Sequence, residues 1–203
     1  AGEILTPVDT VFSKDGQTFK ITPDLHKYHN GIYRLVFDKN KWIDFVNDGE
    51  DVELITDAGN PYDSLKVISS PSNKFYYLFL KLNKNYKVKT ELLQFILARY
   101  PKDDDYYKQT KNRLTELQNE YTEFVNVTSQ SDQNSFVAMY IRSAQLPVVD
   151  LSIPPEKQLL YLKAHALDYV DFSNSRLINS DLYSNKSIEY LTYFRNPQLP
   201  MEL

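Results

Sequence analysis

Hydrophobic and polar residues alternate over short segments in the first third of the chain. The alternating segments are QTFKI (17–21), GIYRLVF (31–37), KWIDFV (41–46), DVELIT (51–56) and SLKVIS (64–69). Turn-forming residues such as Asp-Gly and Asn-Pro pairs separate them. A period of two residues is typical of strands with one buried face. The pattern therefore predicts an N-terminal antiparallel β meander or sandwich-like sheet.

The same alternation assigns the two faces of this sheet. The face predicted to be buried carries Tyr33, Leu35, Phe37, Ile43, Phe45, Val52 and Leu54. The opposite face carries Arg34, Asp44, Glu53 and Lys66, and it is predicted to be largely solvated. Trp42 falls on this polar face. An exposed tryptophan can mark a contact surface, while a helix packed over Trp42 fits the pattern equally well.

From Ser69 onward the spacing becomes helical. Residues 69–101 begin with a Ser/Pro/Asn cluster suited to a helix N-cap and end before Pro101, as one helix or as two that meet near residues 83–85. Residues 103–130 begin with three aspartates, which favour a helix N-terminus. Their narrow apolar seam consists of Tyr107, Thr110, Leu114, Leu117, Tyr121 and Phe124. Such a seam needs one helical partner, which predicts a long antiparallel helix pair.

Shorter helical segments follow at residues 132–145, from Pro155 to 167, and at 181–194. Because strands precede helices instead of alternating with them, the sequence predicts the α+β class. We divide it into a β-rich domain at residues 1–69 and an all-helical domain at residues 70–203.

The charge pattern and the lack of cysteine exclude several functions. Acidic and basic residues are interspersed, with a net charge of -4, so nucleic acid and anionic membranes are poor partners. No apolar run approaches the roughly 20 residues of a membrane span, so we expect no membrane insertion. The 203 residues contain no cysteine, which excludes disulfides, thiolate zinc sites and cysteine nucleophiles within this chain.

Candidate catalytic and metal-binding residues are few. His26 and His29 are spaced i, i+3 near Asp24, but we interpret this segment as a loop without a third ligand. His165 falls on a helix and is expected to be partly buried and hydrogen-bonded. Five glycines provide no phosphate-binding loop. We predict no catalytic, cofactor or metal site, and a pair of glycosidase-like carboxylates is an alternative that the sequence cannot test.

Residues 161–191 carry a resemblance to a known family. The matching positions are Tyr161, His165, Asp168, Asp171, Phe172, Ser173, Arg176, Leu177, Asn185, Lys186, Ile188 and Tyr190. They are similar to the helical region that precedes the thioredoxin-like domain in cell-envelope thiol-disulfide oxidoreductases of the Bacteroidetes type. Asn174, Asp181 and the pair Ala166-Leu167 depart from the family pattern. The β-rich segments resemble the N-terminal region of the same family and follow in the same order.

The resemblance implies that a thioredoxin-like domain with a C-x-x-C pair follows Leu203 and that this chain ends before it. Thiol-disulfide exchange requires a thiolate, so the chain is expected to be redox-inert on its own. We expect a non-catalytic periplasmic or cell-envelope module that positions or dimerises the redox domain or binds its clients. Its expected partners are that domain, a second copy, or envelope client proteins. The alternative is a stand-alone peptide- or glycan-binding module.

The segment DFSNSRL has a physical interpretation of its own. Asp171 or Ser173 can cap a short turn, and Phe172 and Leu177 can attach this turn to the preceding helix. Arg176 can pair with one of the nearby aspartates. We therefore interpret these residues as a structural joint between two helices and not as a ligand site.

Overall fold

The computed structural model of the protein describes residues 5–13, 15, 18, 20 and 28–195, and its first elements are two β-hairpins. In the first hairpin, β1 (Gly31–Asp38) pairs antiparallel with β2 (Lys41–Asn47). In the second, β3 (Glu53–Ile55) pairs antiparallel with β4 (Lys66–Ser69). The two hairpins are separate two-stranded sheets, whereas the alternating pattern predicts one continuous meander. Of the strand predicted at residues 17–21, only Thr18 and Lys20 are described, and neither of them lies in a strand.

The register of the first hairpin agrees with the predicted faces, but the burial is divided differently. The face expected to be covered contains the cross-strand pairs Tyr33 with Phe45 and Leu35 with Ile43. Ile43 is buried there, and the other three side chains are half-buried. On the face expected to be solvated, Val46 is completely buried and Ile32 packs against the same core. The helices cover this face at the open end of the hairpin and leave its tip in solvent.

Two long helices form the centre of the fold. α1 (Pro71–Leu97) is one continuous helix that passes through residues 83–85 without a break, and α2 (Asp105–Ser131) follows after a short connection. The Tyr121 hydroxyl donates to Oδ1 of Asn83 at 2.9 Å, and its ring stacks on Tyr86 with centroids 4.3 Å apart. These contacts join the middle of α1 to the middle of α2, as in an antiparallel pair. The predicted seam is the contact face, with Leu114 and Tyr121 buried.

The remaining elements close the helical layer. They are α3 (Phe136–Ala144), α4 (Pro155–His165), a 3-10 helix (Ser175–Asn179) and α5 (Leu182–Thr192). Ser135 caps α3 by accepting a hydrogen bond from the Ala138 amide. Seven of the nine residues of α3 are buried, whereas α4 has none that are fully buried. α3 is therefore mostly buried between its neighbours, and the order of strands followed by helices confirms the α+β class.

A single core joins the first hairpin to the helices. Its buried members are Val46, Tyr76, Phe79, Tyr86, Leu117, Tyr121, Val125, Phe136, Val137, Tyr140, Ile141, Ala144, Leu177 and Leu182. The boundary predicted after residue 69 falls between β4 and α1. Because Val46 belongs to β2 and its core neighbours belong to the helices, burial of apolar surface couples the two halves across this boundary.

Asn73 fixes α1 to the edge of the hairpin. Its side chain is fully buried, its Oδ1 accepts from the Val46 amide at 2.8 Å, and its Nδ2 donates to the Val46 carbonyl at 2.8 Å. The amide group thus pairs with one strand residue as a neighbouring strand would. Asn73 also donates to Ser70, the N-cap of α1, whose φ of 117° is rare for a residue with a side chain.

Two carboxylates from the loop after β2 hold the starts of helices. Asp48 accepts from the amides of Phe136 at 2.8 Å and Val137 at 3.1 Å, at the N-terminus of α3. Glu50 accepts from the Ser72 amide at 2.9 Å, at the N-terminus of α1. Helix N-termini present unpaired amides and the positive end of the helix dipole, so negative side chains stabilise them. One loop thereby fixes the positions of two helices.

None of the helices among the described residues is both long and apolar enough to cross a membrane.

Candidate functional site

Trp42 lies near the tip of the first hairpin, on the face predicted from the alternation. It pairs with Val36 across the hairpin, and 39% of its surface is exposed. The guanidinium of Arg34 lies 4.8 Å from the centre of the indole ring. A cation above an aromatic face is an attractive arrangement that also restrains the ring.

Asp44 in turn fixes Arg34. Its two carboxylate oxygens accept from Nε and Nη2 of Arg34 at 2.6 and 2.8 Å. These hydrogen bonds raise the pKa of the Arg34 guanidinium, which therefore stays positive. The Asp44 carbonyl also accepts from the Tyr77 hydroxyl on α1. The indole is consequently held by a chain of contacts that leads back to α1.

A groove of about 500 Å³ opens beside Trp42. Its walls are Asn40, Lys41, Trp42, Gly59, Asn60, Pro61 and Tyr62. Tyr62, 62% exposed, forms part of the wall contributed by the loop between β3 and β4. Two aromatic rings and two side-chain amides thus line one groove. We call the groove residues together with Arg34 and Asp44 the Trp42 surface.

Hydrogen bonds fix the loop that carries Tyr62. Thr56 donates its hydroxyl to the Pro61 carbonyl at 2.6 Å, and Ser64 donates to the Asn60 carbonyl at 2.7 Å. The Asp57 amide donates to the Ser64 hydroxyl at 2.8 Å. Because these bonds are made within the loop itself, the groove wall is ordered before any ligand arrives.

A second group of polar residues lies where the hairpin, α1, α3 and α5 meet. Tyr140 donates its hydroxyl to Oδ1 of Asp181 at 3.2 Å, and its ring contacts the edge of Tyr76 at a centroid distance of 5.7 Å. The other oxygen of Asp181 accepts from Asn185 at 2.7 Å. Asp44 and Asp181, whose negative charges raise the pKa of Tyr76, thus both accept hydrogen bonds from neighbouring side chains. Such bonding holds them in structural roles.

Burial keeps the tyrosines of this region neutral. It raises the pKa of Tyr140 far above the usual value, and the nearby Tyr76 and Asp181 raise it further. Burial likewise raises the pKa of Tyr76 and Tyr121. A phenol with a raised pKa keeps its proton at neutral pH and is a poor proton donor, so these side chains contribute hydrogen bonds and packing.

We expect stability to fall steeply in alkaline solution. In the unfolded chain tyrosines ionise near pH 10, whereas Tyr76, Tyr121 and Tyr140 keep their protons in the native state to higher pH. Their stabilising contribution is therefore complete below about pH 10 and is lost as the pH rises above it. Denaturant unfolding as a function of pH measures this loss. Tyr140→Phe should give a shallower decline, and an unchanged slope would contradict the account.

The segment predicted as a joint lies between α4 and α5. Leu177, on the 3-10 helix, is completely buried in the core. Asp171 accepts from the amide of Ser173 at 3.0 Å and from its hydroxyl at 2.6 Å, and these bonds lower the pKa of the Asp171 carboxyl. The cap of the 3-10 helix is Asn174, which accepts from the Arg176 amide. Asp171 thus closes the turn that precedes the 3-10 helix.

Two side chains of this segment have contacts that the sequence does not predict. Phe172 stacks on Tyr183 of α5 with ring centroids 5.5 Å apart, so it contacts the following helix. Arg176 donates to the Asn134 carbonyl at 2.8 Å, just before α3, and not to an aspartate. Asp168 instead pairs with His165 at 2.7 Å. The segment therefore joins α3 and α5 as well as its own neighbours in sequence.

The first hairpin approaches the same segment closely. A Cβ added at Gly31 would lie 2.7 Å from the carbonyl oxygen of Asn179, so only glycine fits at this position. The Asn179 side chain also donates to the Asn30 carbonyl at 3.3 Å. The joint thus fixes the base of the hairpin whose tip carries Trp42.

The histidines do not form a metal site in the part of the chain that is described. His29 is exposed, and its carbonyl accepts from the Tyr33 hydroxyl at 2.8 Å. Asp24 and His26 lie outside the described residues. Among the residues that are described, no group of three or more histidine, aspartate or glutamate side chains could hold a metal ion.

Comparisons with known protein families, curated proteins and solved structures gave no match to this chain.

The sequence does not predict the carboxylates that hold the helices. The sequence predicts Asp48 only as the first residue of an Asp-Gly turn, and the φ of 81° at Gly49 agrees with that prediction. Its helix-capping role joins residues 88 positions apart, and no local pattern indicates a partner so distant. Glu50 lies 22 positions before Ser72, with the second hairpin between them, so no local pattern indicates this contact either.

Proposed function

We propose that this chain is a non-catalytic accessory module of a cell-envelope thiol-disulfide oxidoreductase and binds client polypeptides for an attached redox domain. The resemblance of residues 161–191 to that family motivates the proposal. The lack of cysteine supports it, because thiol-disulfide exchange would have to occur elsewhere in the protein. Such a module would act in the periplasm or cell envelope. Positioning or dimerising the redox domain are alternative roles for the same module.

The observation that carries the proposal is a contrast between two groups of side chains: the polar ones form structural hydrogen bonds, and the aromatic ones beside the groove are exposed. Asp48, Glu50 and Asn73 are engaged in holding helices and strands together. Trp42 and Tyr62 instead remain open to solvent on a supported groove. Tryptophan and tyrosine contribute strongly to protein contacts because their large surfaces lose little conformational entropy on binding. The Trp42 surface is therefore the proposed client-binding site.

Binding by the Trp42 surface can be tested with an unfolded polypeptide whose cysteines have been reduced and alkylated. We expect calorimetry to detect saturable binding to the wild-type chain. Trp42→Ala should weaken that binding by roughly 30-fold, the effect of losing about 2 kcal/mol at a central aromatic residue.

Tyr169→Ala provides the matched control. Tyr169 is exposed to a similar extent, 44%, but does not belong to the Trp42 surface. Its replacement should leave the affinity unchanged, and equal losses in the two variants would contradict the assignment of the site. In a separate control, the chain alone should not reduce insulin disulfides, and clear turnover would refute the non-catalytic role.

A stand-alone glycan- or peptide-binding module is the second candidate. The specific observation that favours it is the combination of aromatic rings with the amides of Asn40 and Asn60 in the groove. Aromatic faces can pack against sugar rings, and amides can hydrogen-bond to hydroxyl groups. Binding of envelope oligosaccharides, with no binding of unfolded polypeptide, would favour this second function.

A further inference from the structure

The outer face of α1 carries a second apolar stripe that does not belong to the core. Leu78, Val88, Leu92 and Phe95 are 54%, 51%, 60% and 58% exposed. The opposite face of the same helix contributes Tyr76, Phe79 and Tyr86 to the core. A surface helix normally has one apolar face, so an additional exposed stripe indicates a contact with another molecule.

The stripe has the spacing of a coiled-coil seam. Counted from Leu78, the steps to Lys81, Asn85, Val88, Leu92 and Phe95 alternate between three and four residues. Alternating steps of three and four place residues at the a and d positions of successive heptads. With a rise of about 1.5 Å per residue, the seam is about 26 Å long, enough to pair with several turns of another helix.

The charge of α1 indicates the chemistry of its partner. The helix contains five lysines and one glutamate, whereas the whole chain has a net charge of -4. All five lysines are exposed, and none forms an ion pair with a residue in the described part of the chain. Lys84 and Lys89 fall at the g and e positions that flank the seam, where interhelical ion pairs form.

Two other occupants fit this face less well. If two copies of the chain paired in parallel along it, Lys84 of one copy would lie opposite Lys89 of the other, and like charges there are unfavourable. A bilayer surface would have to accommodate Lys81 and Asn85 within the seam itself. A partner helix can instead present one polar side chain that hydrogen-bonds to Asn85 and one acidic side chain that pairs with Lys81.

We propose that the outer face of α1 binds an amphipathic helix of a partner protein, with apolar residues at its seam and acidic residues beside it. This interaction uses no residue of the Trp42 surface and does not depend on the function proposed above. Because the opposite face of α1 is fixed in the core, the stripe is already oriented for a partner. Binding should therefore need no rearrangement of the fold.

Two synthetic helical peptides of about three heptads test the proposal. Both have leucine at the seam positions, and they carry either glutamate or lysine at the flanking positions. Fluorescence anisotropy should detect saturable binding of the glutamate peptide and binding at least about 10-fold weaker for the lysine peptide, since the opposite charge pattern places like charges together. The affinity of the glutamate peptide should fall as salt is added.

Three variants locate the binding site. Leu92→Asp should reduce binding of the glutamate peptide by at least about 10-fold, while Leu160→Asp, at a 69% exposed position on α4, should not change it. The double variant Lys84→Glu, Lys89→Glu should reverse the preference between the two peptides. This charge reversal changes only exposed side chains that form no ion pair within the described part of the chain, so it remains informative if Leu92→Asp disturbs folding.

Each of the following results would overturn the proposal. They are no saturable binding of the glutamate peptide, equal affinity for the two peptides, and binding to anionic phospholipid vesicles when neither peptide binds. Self-association of the chain that is lost in Leu92→Asp, without any peptide binding, would likewise assign the face to a second copy.

Discussion

Replacing Asn73 by alanine should lower the free energy of unfolding by roughly 2–5 kcal/mol. The buried side chain pairs with both the amide and the carbonyl of Val46, and alanine would leave these two groups without partners. Each unpaired buried polar group costs about 1–3 kcal/mol. The Ser70 cap would lose a hydrogen-bond partner as well. Urea unfolding followed by circular dichroism measures the change.

Asn85→Ala is the matched control for this prediction. Asn85 lies on the same helix but is exposed, and no residue among those described is hydrogen-bonded to its side chain. Alanine favours helix more than asparagine does, so the control should be neutral or stabilising by up to about 0.7 kcal/mol. Equal effects of the two substitutions would mean that Asn73 does not join the hairpin to α1.

Leu177→Ala should also destabilise the protein strongly, by roughly 2–5 kcal/mol. Leu177 is completely buried where the 3-10 helix contacts the hairpin, α3 and α5. Truncation removes apolar contacts from several elements at once and leaves a cavity, since close-packed neighbours relax only in part. Thermal and urea unfolding of the purified variant would both report the loss.

The neighbouring residue provides a control for Leu177. Ile178 is on the same 3-10 helix but is 49% exposed, so Ile178→Ala should change the stability by less than about 1 kcal/mol. A small effect of Leu177→Ala, or a similar effect of both substitutions, would contradict the interpretation of this segment as a structural joint.

The elements with strong local signals could be predicted from the sequence. The hairpin strands β1 and β2 and their facing pairs follow from alternation, because side chains on a strand point to opposite faces in turn. The seam of α2 follows from helical spacing for the same kind of reason. The capping of α1 by Ser70 also follows from local chemistry, since a serine before a proline at the helix start is a common N-terminal signal.

The arrangement of these elements relative to one another could not be predicted in the same way. The generally polar face of the first hairpin is buried at one end, because α1 covers Val46 there but leaves Arg34 on the same face uncovered. That outcome depends on where the hairpin meets the helix, which alternation does not specify. Likewise, Arg176 binds the Asn134 carbonyl, 42 residues away, and nothing near Arg176 in the sequence indicates this contact.

The candidate site was predicted only in part. Placing Trp42 on the outer face required no more than the strand register. The groove beside it requires Tyr62, which comes from the other hairpin, so the site depends on the relative position of two sheets. The sequence also does not reveal the exposed seam of α1, because the leucines, valine and phenylalanine of this seam cannot be distinguished from core residues by residue type. The positions of α2, α3 and β2 determine which stripe is covered.

Tryptophan fluorescence tests the central claim most directly. Trp42 is the only tryptophan among the 203 residues, so the emission of the whole protein reports on the Trp42 surface. If this surface binds unfolded polypeptide, adding the reduced and alkylated client polypeptide should shift the emission of Trp42 to shorter wavelength. The shift should follow a saturable curve, because the contact removes water from the indole. Calorimetric binding without any change in emission would contradict the account, and so would the absence of any binding.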